Sequence, residues 1–209
     1  AKPLPTQAEA LPGRDQPLRV SSRHFVLPAG LEPPYPEGAS RIVFGMGCFW
    51  GAERRFWQTE GVLETSVGYM GGSRKNPSYE LVCTGTTGHA ETVKVIFDPN
   101  IISYKKLLEL FWTIHDPTQG NRQGNDIGSQ YRSAIFYEDE SQKEQAFLTK
   151  DIYEKEIMSQ GFGQITTQIS PSKDFEYFEA EDYHQKYLKK NPNGYDCHAR
   201  TGIDFPQTI

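Results

Sequence analysis

Residues 41–61 read RIVFGMGCFWGAERRFWQTEG. RIVFGMG is a short apolar run ending in glycine, the pattern of a buried strand, and the following CFWGAERRFWQ reads as a helix that Glu60-Gly61 stops. Cys48 therefore falls at a strand–helix joint, where unpaired N–H groups and the helix dipole favour an anion. A thiolate is the reactive form of cysteine, and helix N-termini lower thiol pKa values. Gly47 and Gly51 let the backbone approach a ligand, and Phe49 and Trp50 add apolar surface beside the sulfur. The alternative is a buried, inert cysteine at the same joint.

Downstream, VLETSVGYMGG (62–72) reads as a second strand entering a glycine turn, and 78–84 as a short helical turn. ETVKVIFD (91–98) alternates as a half-buried strand. Ser103 is a suitable N-cap for a helix whose Tyr104, Leu107, Leu108, Phe111 and Trp112 share one face, and Asp116-Pro117 ends it. A polar loop, TQGNRQGNDIGSQ, leads to a strand in YRSAIFYE. Ser141 and Glu144 have capping-box spacing, which places a helix from about Glu144 to Met158. GQITTQIS is a further strand, and EAEDYHQKYLKK (179–190) a last helix. The result is an α/β (α+β) domain on a mixed sheet of about four to six strands.

Eight of the 14 prolines lie in the first 40 residues, so residues 1–40 are expected as an extended arm. Its Leu11, Phe25, Val26, Leu27 and Tyr35 are candidates to dock on the body. The catalytic domain is expected over 41–190 and an irregular tail over 191–209.

With 36% hydrophobic and 23% charged residues the composition is globular, and no apolar run approaches the ~20 residues of a membrane span. No signal-peptide pattern is visible, so a cytoplasmic location is expected. A net charge of −5 argues against nucleic-acid partners. Three scattered cysteines, Cys48, Cys83 and Cys197, do not make a disulfide scaffold. No CxxC supports zinc, and the His89-x-Glu91 of a zinc deaminase lacks its downstream cysteine pair. Neither metal nor organic cofactor is called for.

Glu91, entering a strand, is either a solvated edge residue or an acid whose pKa an aromatic pocket raises. Tyr79 is either exposed or a pocket hydroxyl, and the loop around Asn125, Asp126 and Tyr131 is long enough to be functional. Cys83, beside Leu81 and Val82, reads as a core cysteine; His115 reads as structural and His184 as part of a solvated helix. Cys197 lies in a polar, flexible tail, where a thiol can reach a sulfenic acid elsewhere.

These segments resemble the A-class peptide methionine sulfoxide reductases. Gly47-Cys48-Phe49-Trp50-Gly51-Ala52-Glu53 is similar to that family's active-site signature. Four more blocks follow in order: Gly68 to Gly72, Asn76 to Tyr79, Gly88 to Glu91, and Gln123 to Asp126 with Gln130 to Ser133. The resemblance implies a ferredoxin-like two-layer sandwich, expected as a monomer. It also implies reduction of the S epimer of free and protein-bound methionine sulfoxide. Cys48 would take the oxygen and become a sulfenic acid, with Glu91, Tyr79 and Tyr131 as donors to that oxygen. Asp126 would hold the site, and Phe49 and Trp50 would receive the methyl group. Cys197 would form a disulfide with Cys48 for thioredoxin to reduce, with Cys83 as fallback and His198 favouring the Cys197 thiolate. Asp196 is one inserted position relative to the family's Gly-Tyr-Cys. Two rivals are a papain-like hydrolase, which needs a histidine base for Cys48, and a non-catalytic reader of oxidised methionine.

Overall fold

Both faces of the strand that precedes Cys48 are covered, which is why its sequence reads as an unbroken apolar run. In the computed structural model, which describes residues 4–6, 8–9, 13–16, 35–197 and 199–207, this strand is β1 (Ser40–Met46). Ile42 and Phe44 join the main core, while Val43, pointing the other way, packs with Met70, Ala134 and Phe136.

The remaining elements, in chain order, are α1 (Phe49–Trp57), β2 (Val62–Met70), α2 (Tyr79–Cys83), β3 (Ala90–Phe97) and α3 (Tyr104–Thr113). They continue with β4 (Arg122–Gln123), β5 (Asp126–Ile127), β6 (Ser133–Tyr137), α4 (Glu140–Ser159), β7 (Gln168–Pro171), β8 (Phe178–Glu179) and α5 (Tyr187–Lys190). The six-stranded sheet has the order β7-β6-β1-β3-β2-β8. Its pairings are antiparallel except β6 with β7, so the sheet is mixed. The inner four strands, with α1 and α3 as crossovers, make the βαββαβ unit of a ferredoxin-like fold. The expected fold class stands.

Helices α1, α3 and α4 cover one face around Phe44, whose ring stacks on Phe56 at 5.3 Å and on Phe111 at 4.8 Å. Phe175 and Tyr177, from the irregular chain before β8, pack against the other face. All five apolar residues predicted for the α3 face are buried, and Ser103 caps the helix by accepting from the Lys106 N–H at 3.1 Å. Among the described residues no helix is long and apolar enough to cross a membrane.

Three expectations change. Helix α4 begins at Glu140, because Asp139 accepts from the Gln142 N–H at 2.8 Å while the Gln142 side chain accepts from the Glu138 N–H at 2.9 Å. The operative cap thus lies two residues before the Ser141–Glu144 pair. Of GQITTQIS only the end is strand, in β7. Of residues 179–190 only Tyr187–Lys190 is helical, because the preceding side chains are spent on long-range bonds. Gln185 brackets Val67, accepting from its N–H at 2.9 Å and donating to its carbonyl at 2.8 Å, and Lys186 turns into φ +52° to reach α1 and β2.

Candidate active site

Gly47, at φ +92°, makes the turn from β1 into α1; a Cβ there would come within 2.7 Å of the Gln123 side chain. That close approach brings the polar loop over the joint, with Cys48 as the N-cap residue of α1. A cavity of about 130 Å³ opens beside the sulfur, lined by Cys48, Phe49, Trp50, Tyr79, Glu91, Asp126, Tyr131 and Tyr195. The fold thus gathers seven of the eight expected site residues into one cavity, from α1, α2, β3, β5 and the turn before β6. The eighth, Cys197, lies in a neighbouring cleft with Gly124, Asn125, Tyr195, Asp196 and Ala199.

Glu91 is 2% exposed, and its Oε2 accepts the Phe49 N–H at 3.0 Å. The solvated-edge reading is therefore excluded. Burial pushes its carboxyl up to about 8, the Phe49 amide opposes the rise and Asp126 adds to it. A neutral acid at pH 7 in a dry pocket is a proton donor.

The expectation of a lowered Cys48 pKa does not hold for the resting protein. Burial, then the neighbouring Glu91, hold the thiol well above its ordinary range, against the single favourable amide of Trp50. One amide at the start of α1 does not outweigh desolvation when the nearest charges are acidic.

Tyr79 begins α2, where its N–H donates to Glu181 Oε1 at 3.0 Å, and burial raises its phenol. Tyr131 ends a 3-10 turn, Ser129–Tyr131, and its phenol is likewise raised by burial, so both rings remain hydroxyl donors. Asp126 accepts from the Tyr195 hydroxyl at 3.2 Å, which ties the tail to the polar loop.

Phe49 is buried against Tyr69 and His184, with ring centroids 5.9 and 5.3 Å apart. Trp50 donates its indole N–H to His184 Nδ1 at 3.1 Å and stacks on Tyr187 at 3.8 Å. His184, only 4% exposed, is therefore part of the aromatic wall and not on a solvated helix. Cys83 is exposed at the end of α2, so the core reading fails. His115 is structural, with Nδ1 at 2.7 Å from the Phe111 carbonyl and Nε2 at 2.8 Å from the Ser133 hydroxyl. These commitments leave neither His115 nor His184 as the base a papain-like hydrolase requires.

The tail around Cys197 is irregular but packed, which corrects the expectation of flexibility. Asp196 forms an ion pair with Arg54 of α1, and Phe205 is buried against Tyr153, whose hydroxyl donates to the Ile203 carbonyl at 2.8 Å. Cys197 Sγ lies 3.6 Å from the Gln123 carbonyl, and burial raises its thiol. All three cysteines are free, and His198 lies outside the described residues.

Sequence pattern alone does not mark Tyr195, His184, Tyr187 or Glu181 as site residues. All four lie within or just after the polar EAEDYHQKYLKK, whose charge suggests solvent. Among the described residues no group of three or more His, Cys, Asp and Glu side chains is placed to hold a metal.

The family model for peptide methionine sulfoxide reductase matches residues 40–208. A peptide methionine sulfoxide reductase MsrA of Rippkaea orientalis is 53% identical over 203 residues, covering 97% of this chain and 93% of the relative. The solved methionine sulfoxide reductase A of Corynebacterium diphtheriae superposes with a TM-score of 0.86 at 40% identity, over 99% of this chain and 100% of that one. Reduced Mxr1 of Saccharomyces cerevisiae matches at 35% identity and a TM-score of 0.72, over 79% of this chain and 93% of its own. Mxr1 has also been solved in complex with Trx2.

Proposed function

The chain belongs to the peptide methionine sulfoxide reductase family, and from that premise we propose a stereospecific, three-step reduction centred on Cys48. The substrate is the S epimer of methionine sulfoxide, free or within a protein. In the first step the Cys48 thiol and the sulfoxide give a Cys48 sulfenic acid and a thioether, with the oxygen and the thiol proton ending on Cys48. In the second, Cys197 attacks the sulfenic sulfur, a Cys48–Cys197 disulfide forms and water leaves. In the third, a thioredoxin-type dithiol exchanges with that disulfide and restores both thiols; the Mxr1–Trx2 complex supports this class of reductant. We assign the chemistry to residues 41–190 and the resolving thiol to the tail, 191–209.

The observation that carries this reading is the convergence of a sulfur, a neutral carboxyl, two phenols and an apolar wall on one small cavity. The sulfoxide oxygen must leave sulfur with a proton, and Glu91, Tyr79 and Tyr131 are its donors. Hydrogen bonds to the oxygen also withdraw charge from sulfur, so a protonated thiol with a raised pKa needs to ionise only as attack begins. Phe49 and Trp50 take the methyl group. Oxygen, methyl and the line of attack are then three fixed directions, and the remaining substituent must point to the opening. Only one hand at sulfur satisfies all four.

The test is turnover of the separated S and R epimers of a peptide methionine sulfoxide with dithiothreitol, for the wild type and Cys48→Ser. Reduction of the S epimer alone, abolished by the substitution, is expected. Reduction of both epimers, or of neither, would overturn the assignment.

A further inference from the structure

Gly13 and Arg14 belong to the N-terminal arm, far in sequence from every residue of the site, yet they are clipped to the loop that leads into Tyr79. The Arg14 N–H donates to the Asn76 carbonyl at 2.9 Å, and the Asn76 side-chain amide donates to the Arg14 carbonyl at 3.0 Å. The guanidinium adds bonds to the carbonyls of Asn76, at 3.2 Å, and Pro77, at 2.6 Å. Gly13 lies so close to Lys75 that a Cβ would come within 1.7 Å of its carbonyl oxygen, so only glycine fits there. Asn76 itself sits at φ +50°, a conformation costing of order 1–3 kcal/mol that the surrounding contacts must hold.

Arg14 Nη1 also lies 3.7 Å from Glu181 Oε1, the same oxygen that accepts the Tyr79 N–H at 3.0 Å. The other oxygen of Glu181 accepts the Tyr69 hydroxyl at 2.7 Å. Helix α2 is only five residues long, and its side-chain cap, from Ser78 to the Leu81 N–H, is a long 3.3 Å. A helix that short does not orient itself. Its first residue is aimed from outside, by Glu181 beneath the amide and by the arm gripping the three residues before the cap.

We infer that Arg14 is a positioning residue: the arm, through Gly13 and Arg14, sets the placement of the Tyr79 hydroxyl in the pocket. This rests on the reading of Tyr79 as a donor to the sulfoxide oxygen. Misplacement of a reacting group by about 1 Å costs up to ~100-fold in rate. Release of the clip leaves the Glu181 bond in place, so a smaller loss, about tenfold, is expected in the rate of reduction, with little change in half-saturating substrate.

The experiment is a double-mutant cycle on single-turnover reduction of an S-sulfoxide peptide, without added reductant, using wild type, Arg14→Ala, Tyr79→Phe and the double variant. Arg14→Ala is expected to slow the saturated rate about tenfold in the wild type and less than about twofold in the Tyr79→Phe background. Gly13→Ala, which dislodges the clip without touching the charge, should reproduce the loss, and Arg14→Lys should recover part of it. An equal loss in both backgrounds would show that the arm acts elsewhere and overturn the inference. If Tyr79→Phe is slow but neither Arg14→Ala nor Gly13→Ala is, only the inference falls. If Tyr79→Phe turns over at the full rate, the role of Tyr79 falls and the inference with it.

Discussion

The backbone N–H of Phe49, the residue after the nucleophile, donates to Glu91 Oε2 at 3.0 Å, so the start of α1 and the start of β3 are locked together at the reacting centre. The bond takes up one oxygen of the carboxyl and leaves the other to carry the proton that burial keeps on it up to about pH 8. The rate of sulfoxide reduction should therefore fall as pH rises through about 8, where Glu91 loses that proton. Glu91→Gln keeps an acceptor for the Phe49 amide but cannot release a proton, and should slow reduction by roughly 10²–10⁴-fold. Single-turnover rates from pH 6 to 9.5 check both points; an unchanged alkaline limb in Glu91→Gln would assign that limb to another group.

Stability should peak near pH 6.5. Burial lowers His89 and His115 to about 4 from an ordinary 6.5, and raises Glu91 to about 8 from 4.5. Between pH 6.5 and 4.5 the unfolded chain binds two protons at the histidines that the folded one does not, and one fewer at Glu91. For these three groups the net of one proton means stability falls by about 1.4 kcal/mol per unit of acidification, with His184, also lowered by burial, adding to the fall and Glu64, raised by burial, opposing it. Of the three groups only Glu91 changes its balance between 6.5 and 8, with the opposite sign, and it lowers stability by about as much per unit as pH rises. Urea midpoints across this range test the peak, and Glu91→Gln should remove its alkaline side and steepen the acid side to about 2.7 kcal/mol per unit, because Glu91 no longer offsets one of the two histidine protons.

The β1–α1 joint and the α3 face were legible in the sequence because their apolar residues repeat with one period and their partners lie along the same element. The cavity was legible only by resemblance: nothing in the spacing of Tyr79, Glu91 and Asp126 says that a sheet and two loops bring them together. Residues 179–190 misled for a physical reason. His184, Gln185 and Lys186 look like a solvated helix face, but they bond to Trp50, Val67, and Glu53 with Glu64, more than 100 positions away. Local pattern carries no signal for such bonds. Cys83 misled in the opposite sense, since flanking Leu81 and Val82 placed it in a core that takes only Val82.

Asp196, the residue before Cys197, pairs with Arg54 in the last turn of α1 and packs against Gly51, which holds the following Cys197 near the nucleophile's helix. Arg54→Ala should leave the first reduction step unchanged and slow Cys48–Cys197 disulfide formation several-fold. Cys197→Ser should produce one methionine per chain and then stop with thioredoxin as reductant. Quenched-flow counting of free thiols separates the two steps. Full thioredoxin-linked turnover by Cys197→Ser would remove Cys197 from the cycle and point to Cys83.

Lys186 is 2% exposed, and its ammonium lies 2.9 Å from both Glu53 Oε1 and Glu64 Oε1, with a further bond to the Thr65 carbonyl. Burial alone would pull the ammonium down, but the two carboxylates outweigh it and its pKa ends above the ordinary value. For Glu64 burial wins over the attraction of Lys186, so its pKa is raised from 4.5. The cluster ties the segment that carries His184 to α1 and β2, and so sets the wall behind Trp50. Lys186→Met fits the same space but strands two buried carboxylates, a loss of about 3–5 kcal/mol when one partner of a buried pair is removed. The sign of its pH dependence follows from the same groups. Without the ammonium Glu64 rises further above its unfolded value, so the deficit is present at neutral pH and shrinks as pH falls toward 4.5. Urea unfolding of wild type and Lys186→Met at pH 7.5 and 5 measures it. A deficit that does not narrow at pH 5 would mean that lost packing, and not stranded charge, is what the substitution costs.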